Sequence, residues 1–225
     1  MAGRNVPLEI GGYYHIYNRG VARLPTFSST GDYQQAILSL SYYQYSQPPI
    51  KLSRYKSLLP DEKSKLFESL SHKNSKLAQI ISFVLMPNHF HFLLKQVQDQ
   101  GISKFVSQFT NSYTRYFNIK YSRPGSLFQG PFKAVRVESE EQLIHLSRYI
   151  HLNPYVSSVI KKSQLPIYPW SSFPDYLKGN STLVDPSPIL SHFKSNFDYQ
   201  IFVLNHSDYA RELEVVKHLT LDLDR

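Results

Sequence analysis

Cysteine is missing from the 225-residue sequence. That excludes a thiolate metal site, a cysteine nucleophile and a disulfide framework, and it agrees with a reducing compartment. Long hydrophobic runs are missing as well. The most apolar stretch, residues 80–86 (IISFVLM), contains a serine and is far shorter than the about 20 residues that cross a bilayer. No membrane partner is expected. The opening MAGRNVPLEIGG has no apolar core of the secretory kind, so cytoplasmic residence is the expectation. Acidic side chains are sparse before position 138, which argues against the carboxylate cluster of a two-metal nuclease. Neither the phosphate-cradling glycine loops of nucleotide enzymes nor a Gly-x-Ser-x-Gly elbow occurs.

What remains is basic and aromatic. Lys and Arg number 25 against 17 Asp and Glu, and the excess is uneven: residues 1–162 carry a net +11, residues 163–225 a net −3. A basic body of this kind is either a solvated surface or a surface for a polyanion, whose neutralised phosphates release counterions. Seventeen Tyr and 14 Phe supply rings on which single-stranded bases could stack, although most must fill the core. A chain this long hides roughly 70% of its extended surface, enough for one domain. The charge pattern suggests a body over 1–162, with a basic, Ser-rich insertion at about 48–76, and an extension over 163–225 packed on the same domain.

Along the chain, aromatic-rich Tyr13–Asn18 between glycines predicts a strand. Asp32 is expected to cap a helix with Tyr33, Ala36, Ile37, Leu40 and Tyr43 at helical spacing. The insertion is expected to hold one short helix after Pro60-Asp61. Apolar runs 80–86 and 90–94 flank Pro87-Asn88-His89 and predict a hairpin. Residues 101–121 read as an amphipathic helix, with Lys104, Gln108, Asn111 and Arg115 opposite an aromatic stripe. Phe132–Val137 is another strand. Ser139-Glu140-Glu141-Gln142 is a capping box opening a helix expected to end at Asn153, before Pro154. Beyond Leu165, YPWSSFPDY predicts a packed wrap followed by one or two short helices. The order βα(insertion)ββαβα predicts an α+β, ferredoxin-like antiparallel sheet with helices mainly on one face.

His89 and His91 lie two apart on the second hairpin strand, so alternation sends both to one face, where two imidazoles can converge on a cation. Taken alone, such a pair is more often a structural one. Tyr149 and Asn153 are four apart and share a helix face, near Gln142 and His145. Spacing alone favours a tyrosine at the core margin and an asparagine closing the helix. Tyr113 and Tyr116 compete as nucleophiles but fall within their own helix's apolar stripe. The face bearing Lys104 and Arg115 is the better phosphate surface, with solvated charges as the alternative.

MPNHFHFLL, SYTRYFNIKY, GSLFQGPFKA and RYIHLNP, in that order, resemble the single-tyrosine HUH transposases of the insertion-sequence and REP-associated branch. HIYNRGVAR and YPWSSFPDYL resemble longer members, so the likeness covers roughly residues 13–177. The resemblance implies that residues 1–162 form the HUH catalytic domain, that His89 and His91 hold a divalent metal, Mg²⁺ or Mn²⁺, and that Asn153 completes the metal shell. It also implies Tyr149 as a nucleophile that cleaves and rejoins single-stranded DNA through a 5′-phosphotyrosine, at hairpin-forming element ends, in DNA transposition. Lys104, Arg115, Lys120, Lys133, Arg136 and Arg148 are the expected DNA contacts. Pro131 stands where members often have a basic residue, so one phosphate contact is either lost or moved to Lys133. Family members occur as dimers and monomers, so the resemblance leaves both a homodimer and a monomer open. The resemblance leaves two other roles open: a domesticated, non-catalytic DNA-binding protein, and a replication or mobilisation nickase with the same core. A small metal-dependent hydrolase is the reading outside nucleic acids.

Overall fold

Period-two alternation shapes the first strand. In β1 (Tyr13–Arg19), Tyr14, Ile16 and Asn18 are buried, while Tyr13, His15 and Tyr17 line the opposite face. The computed structural model describes residues 7–72 and 76–208. Within it, β1 is followed by α1 (Thr30–Tyr43), α2 (Leu52–Lys56), α3 (Pro60–His72), β2 (Ala78–Met86), β3 (His89–Gln96), α4 (Gly101–Lys120) and β4 (Lys133–Arg136). Then come α5 (Glu140–Val156), α6 (Phe173–Lys178), α7 (Ser187–Leu190) and α8 (Asn196–Leu204). The sheet runs β2-β3-β1-β4 with every neighbour antiparallel, the ferredoxin-like arrangement expected from the element order.

The helices cover both faces, where the sequence reading put them mainly on one. Phe90, Phe92 and Leu94 alternate onto the face packed by α1 and α4, with Leu40, Phe105, Phe109 and Tyr113 in one core. Ile81, Val84, Met86 and Leu93 point the other way, against α5 and the C-terminal elements, with Ile150, Tyr168, Phe173 and Tyr199. The reason is β2, buried along nearly its whole length: a strand apolar on both sides needs a cover on both.

Three local expectations are corrected. Ser29, not Asp32, caps α1. Its hydroxyl accepts from the Asp32 amide, while the Asp32 carboxylate accepts from the Ser29 amide, so Asp32 is the third helical residue of a reciprocal box. Helix α5 does not stop at Asn153 but carries Pro154 inside it to Val156. Burial of Leu152, Pro154 and Tyr155 holds the turn, and the Pro154 carbonyl accepts from the Val159 amide. The segment at 48–76 forms two helices rather than one, with Leu52 and Tyr55 closing a small third core on Tyr42. At the other end, residues 209–225 of the expected extension lie outside the described residues.

Fully buried Asp32 joins α1 to α4. It takes Lys120 Nζ at 2.6 Å, Tyr121 Oη at 2.7 Å and Tyr116 Oη at 3.1 Å, plus the Ser28 and Ser29 amides. Burial alone would push this carboxyl up, but the Lys120 ammonium, the Tyr121 hydroxyl and the amides together hold it below the usual carboxylate range. A group depressed in this way stabilises the fold above the unfolded value near 4 and loses that contribution as pH falls further. Asp32→Ala should therefore cost about 3 kcal/mol in urea unfolding at pH 7. The gap to the wild type should narrow below about pH 4.

Candidate active site

Helix α5 is aimed by a polar network that none of the sequence motifs announced. His151 is wholly buried. Its Nε2 lies 2.8 Å from Ser172 Oγ and its Nδ1 2.8 Å from Tyr199 Oη, which also meets Ser147 Oγ at 3.0 Å. Ser172 Oγ in turn accepts from the Phe83 amide of β2 at 2.9 Å. Burial pushes the imidazole down to about 3, so it stays neutral and can serve as donor on one nitrogen and acceptor on the other. The YPWSSF wrap thus pairs with the edge of β2 (the Trp170 carbonyl takes the Leu85 amide at 2.8 Å) and pins α5 at the same time. Ser139 caps the start of α5 as expected, although Gln142 reaches back to the Glu138 amide rather than to that of Ser139.

So held, α5 lays Tyr149 and Asn153 over the face of the sheet that bears the histidines. The Tyr149 ring is 47% exposed and stands edge-on to His91, with centroids 5.5 Å apart. The Asn153 side chain is buried and hydrogen-bonds His89. The His89 and His91 rings are 5.0 Å apart and nearly perpendicular. All four residues singled out from the sequence therefore meet within one chain. A fifth, His15 on β1, was not foreseen as part of the site: it opens HIYNRGVAR, but no ligand spacing marks it. Its Nε2 lies 2.9 Å from His91 Nδ1. Arg19, paired with His89 across β1 and β3, borders the cluster. Gly20 follows directly, and its amide donates to the Asn88 carbonyl at 2.8 Å. A side chain there would strike the Leu24 carbonyl at 2.3 Å, so only glycine lets β1 close on the hairpin turn.

Burial pushes His15 and His89 down to about 4 and His91 well below the usual histidine value. For His89 the Asn153 hydrogen bond opposes that shift and the Arg19 charge adds to it; for His91 the charges of His15, His89 and Arg19 add to it. Neutral imidazoles keep a lone pair available for a cation. Among the described residues, no group of three or more His, Cys, Asp or Glu could hold a metal ion, so the available donor set is two imidazoles and an amide.

The other sequence candidates are scattered. Tyr113 is fully buried and donates to the Thr26 carbonyl at 2.6 Å, and Tyr116 donates to Asp32, so both are structural. Lys133 is exposed and paired opposite Tyr17, on the histidine face. Lys104 and Arg115 are exposed on α4, which packs against the opposite face of the sheet. Lys120 is bound to Asp32, and Arg136 to Glu9 at 2.7 Å. Arg148 donates to His145 Nδ1 at 2.7 Å and lies 4.4 Å over the Phe202 ring, which turns both residues toward α8. Gln142 is likewise spent on its cap.

The fold and the site define a ferredoxin-like sheet protein in which a helix-borne tyrosine faces a histidine pair. The family model described as "Transposase IS200 like" matches residues 52–153, from the first turn of α2 to Asn153. That stretch is similar to IS200-like transposases, in agreement with the resemblance read from the motifs. A solved structure of a REP-associated tyrosine transposase bound to a REP hairpin is similar at 16% identity, over 82% of this chain and 92% of that one, with a TM-score of 0.49. No curated protein matches the chain.

Two measurements check this geometry. In metal-free protein, the imidazole resonances of His15 and His89 should stay in their neutral positions from pH 8 to about 5 and titrate near 4. Titration near 6.5 would show a pocket open to water. Because these values fall on folding, stability should be complete above about 6.5 and decline as pH drops toward 4. Separately, Ser172→Ala should cost about 1–3 kcal/mol, since it strands the buried Phe83 amide and His151 together. Thermal or urea unfolding reads that loss.

Proposed function

We propose that the chain is a DNA strand transferase of the single-tyrosine kind, acting in transposition on single-stranded DNA with hairpin-forming ends. The observation that carries this reading is the half-exposed Tyr149 ring set 5.5 Å from His91, with Asn153 bonded to His89, all in one chain. No second copy is needed to bring these groups together.

The residues fit a divalent cation: two neutral imidazoles and an amide oxygen, beside the tyrosine. His89, His91 and Asn153 would hold it, with room left for phosphate and water oxygens as Mg²⁺ or Mn²⁺ requires; the imidazoles tilt the choice toward Mn²⁺. A bound cation supplies positive charge that draws electron density from the phosphate and orients it for in-line attack.

A phenol, with a pKa near 10, is a weak nucleophile at neutral pH. Tyr149 stands half in water, where its proton can leave as the oxygen approaches phosphorus. The new phosphorus–phenolate bond forms as the bond to the 3′ oxygen breaks. That oxygen takes a proton and leaves as a free 3′-OH, while the 5′ end stays on Tyr149. Attack by a 3′-OH reverses the step, so rejoining needs no nucleotide triphosphate because the bond energy is kept in the covalent link. Lys133 and Arg19 flank the site as cations for the neighbouring phosphates, and Tyr17 offers a ring for stacking. Lys104 and Arg115 would hold more distant backbone. Lys120, Arg136 and Arg148, bound within the chain, are less suited to that role.

The test is a labelled single strand bearing a hairpin end, incubated with protein and Mn²⁺. A covalent protein–DNA adduct should form and vanish in Tyr149→Phe. His89→Ala should lose cleavage by about 100-fold or more while retaining DNA binding in a gel-shift assay. An adduct that survives Tyr149→Phe would overturn the nucleophile assignment.

A further inference from the structure

The two histidines of the pair are held in the same way, each by its Nδ1. His89 Nδ1 lies 2.6 Å from Asn88 Oδ1, and Asn88 Nδ2 donates to the Arg23 carbonyl at 3.3 Å, which fixes the amide with its oxygen toward the ring. An amide oxygen only accepts, so in the Nδ1–H tautomer His89 donates to Asn88 and keeps its lone pair on Nε2. His91 Nδ1 has its own neighbour: His15 Nε2, 2.9 Å away, with the two rings stacked at 5.1 Å and 23°. His15 stands opposite Leu93 on the β1–β3 pair, which puts it diagonal to His91 on the same face. His91 is only 8% exposed, so bulk water is a poor substitute for that partner.

We propose that His15 is a positioning residue: its Nε2 accepts the proton of His91 Nδ1 and thereby presents the unprotonated Nε2 of His91 to the cation of the paired-histidine site. This rests on the metal reading above. Ring nitrogens that bind metals are generally oriented by a hydrogen bond at the other nitrogen, and loss of such a partner weakens metal binding about 10–100-fold. A carboxylate or a carbonyl usually serves; here the acceptor is a neighbouring imidazole. His15 is not a third ligand in this account. Its Nε2 is taken up by His91, and no three-residue ligand group stands among the described residues.

The test uses Mn²⁺ alone, without DNA, on wild type, His15→Ala, His15→Gln, His89→Ala and His91→Ala. Calorimetry should show Mn²⁺ affinity weakened about 10–100-fold in His15→Ala and largely restored in His15→Gln, whose amide oxygen can accept from Nδ1. Nitrogen-15 spectra of metal-free protein should show His91 protonated at Nδ1 in wild type and His15→Gln, and a tautomer mixture in His15→Ala. Electron-spin-echo spectra of the Mn²⁺ form should count two coordinated imidazoles. Unchanged affinity and tautomer in His15→Ala, with affinity lost in His89→Ala and His91→Ala, would overturn the positioning role and leave the metal site standing. Three coordinated imidazoles would overturn it in favour of direct ligation. Equal Mn²⁺ binding by every variant would remove the metal reading and the proposal with it. If His15→Ala fails to fold, His15→Phe, which fills the space without an acceptor, replaces it and should weaken Mn²⁺ binding in the same way.

Discussion

Everything in this molecule that resembles chemistry depends on where one helix lies, and that helix is fixed by a buried imidazole. His151 stands two residues beyond Tyr149 on α5, and its two ring nitrogens tie the helix to the segment along β2 and to α8. A neutral, fully enclosed histidine has only two hydrogen-bonding directions, and both are taken. Rotating or sliding α5 by one residue would break both bonds in a medium without water to replace them. The neighbouring positions on the same helix, Tyr149 and Asn153, inherit that fixity. The C-terminal extension, through Ser172 and Tyr199, is therefore the clamp that gives the site its shape.

Charge is allotted in an equally uneven way. The sequence offers a basic body, and composition invites the view that its cations all await phosphates. Several are instead spent inside the protein: Lys120 neutralises the buried Asp32, Arg136 meets Glu9, and Arg148 sits over the Phe202 ring. What remains beside the histidines is small and local, Arg19 and Lys133 on adjacent strands. Around them burial keeps the imidazoles neutral, so the charge beside the cluster comes from these two side chains.

The sequence made most of the sheet legible, because a strand's period and a hairpin turn are local properties. The Pro87-Asn88 turn, the long stripe of α4 and the Ser139 cap all appear where the residues suggested. The histidine pair and the tyrosine were legible through motifs, and the structure brings them together. What local reading could not reach is what long-range contact decides. Asp32 looks like a cap until Ser29 is seen to share the box, and Pro154 looks like a stop until the burial of its flanks is counted. His15 is the clearest case. Seventy-six positions separate it from His91, and only the pairing of β1 with β3 makes them neighbours.

The strip of chain at Trp170–Ser172 has one more effect. By occupying the outer backbone groups of β2, it removes that side of the sheet as a template for another extended segment. The opposite border, β4, is four residues long and ends in Lys133 and Arg136, too short and too charged to invite a foreign strand. A protein rich in aromatic, strand-forming sequence is thereby guarded against zipping onto its own copies.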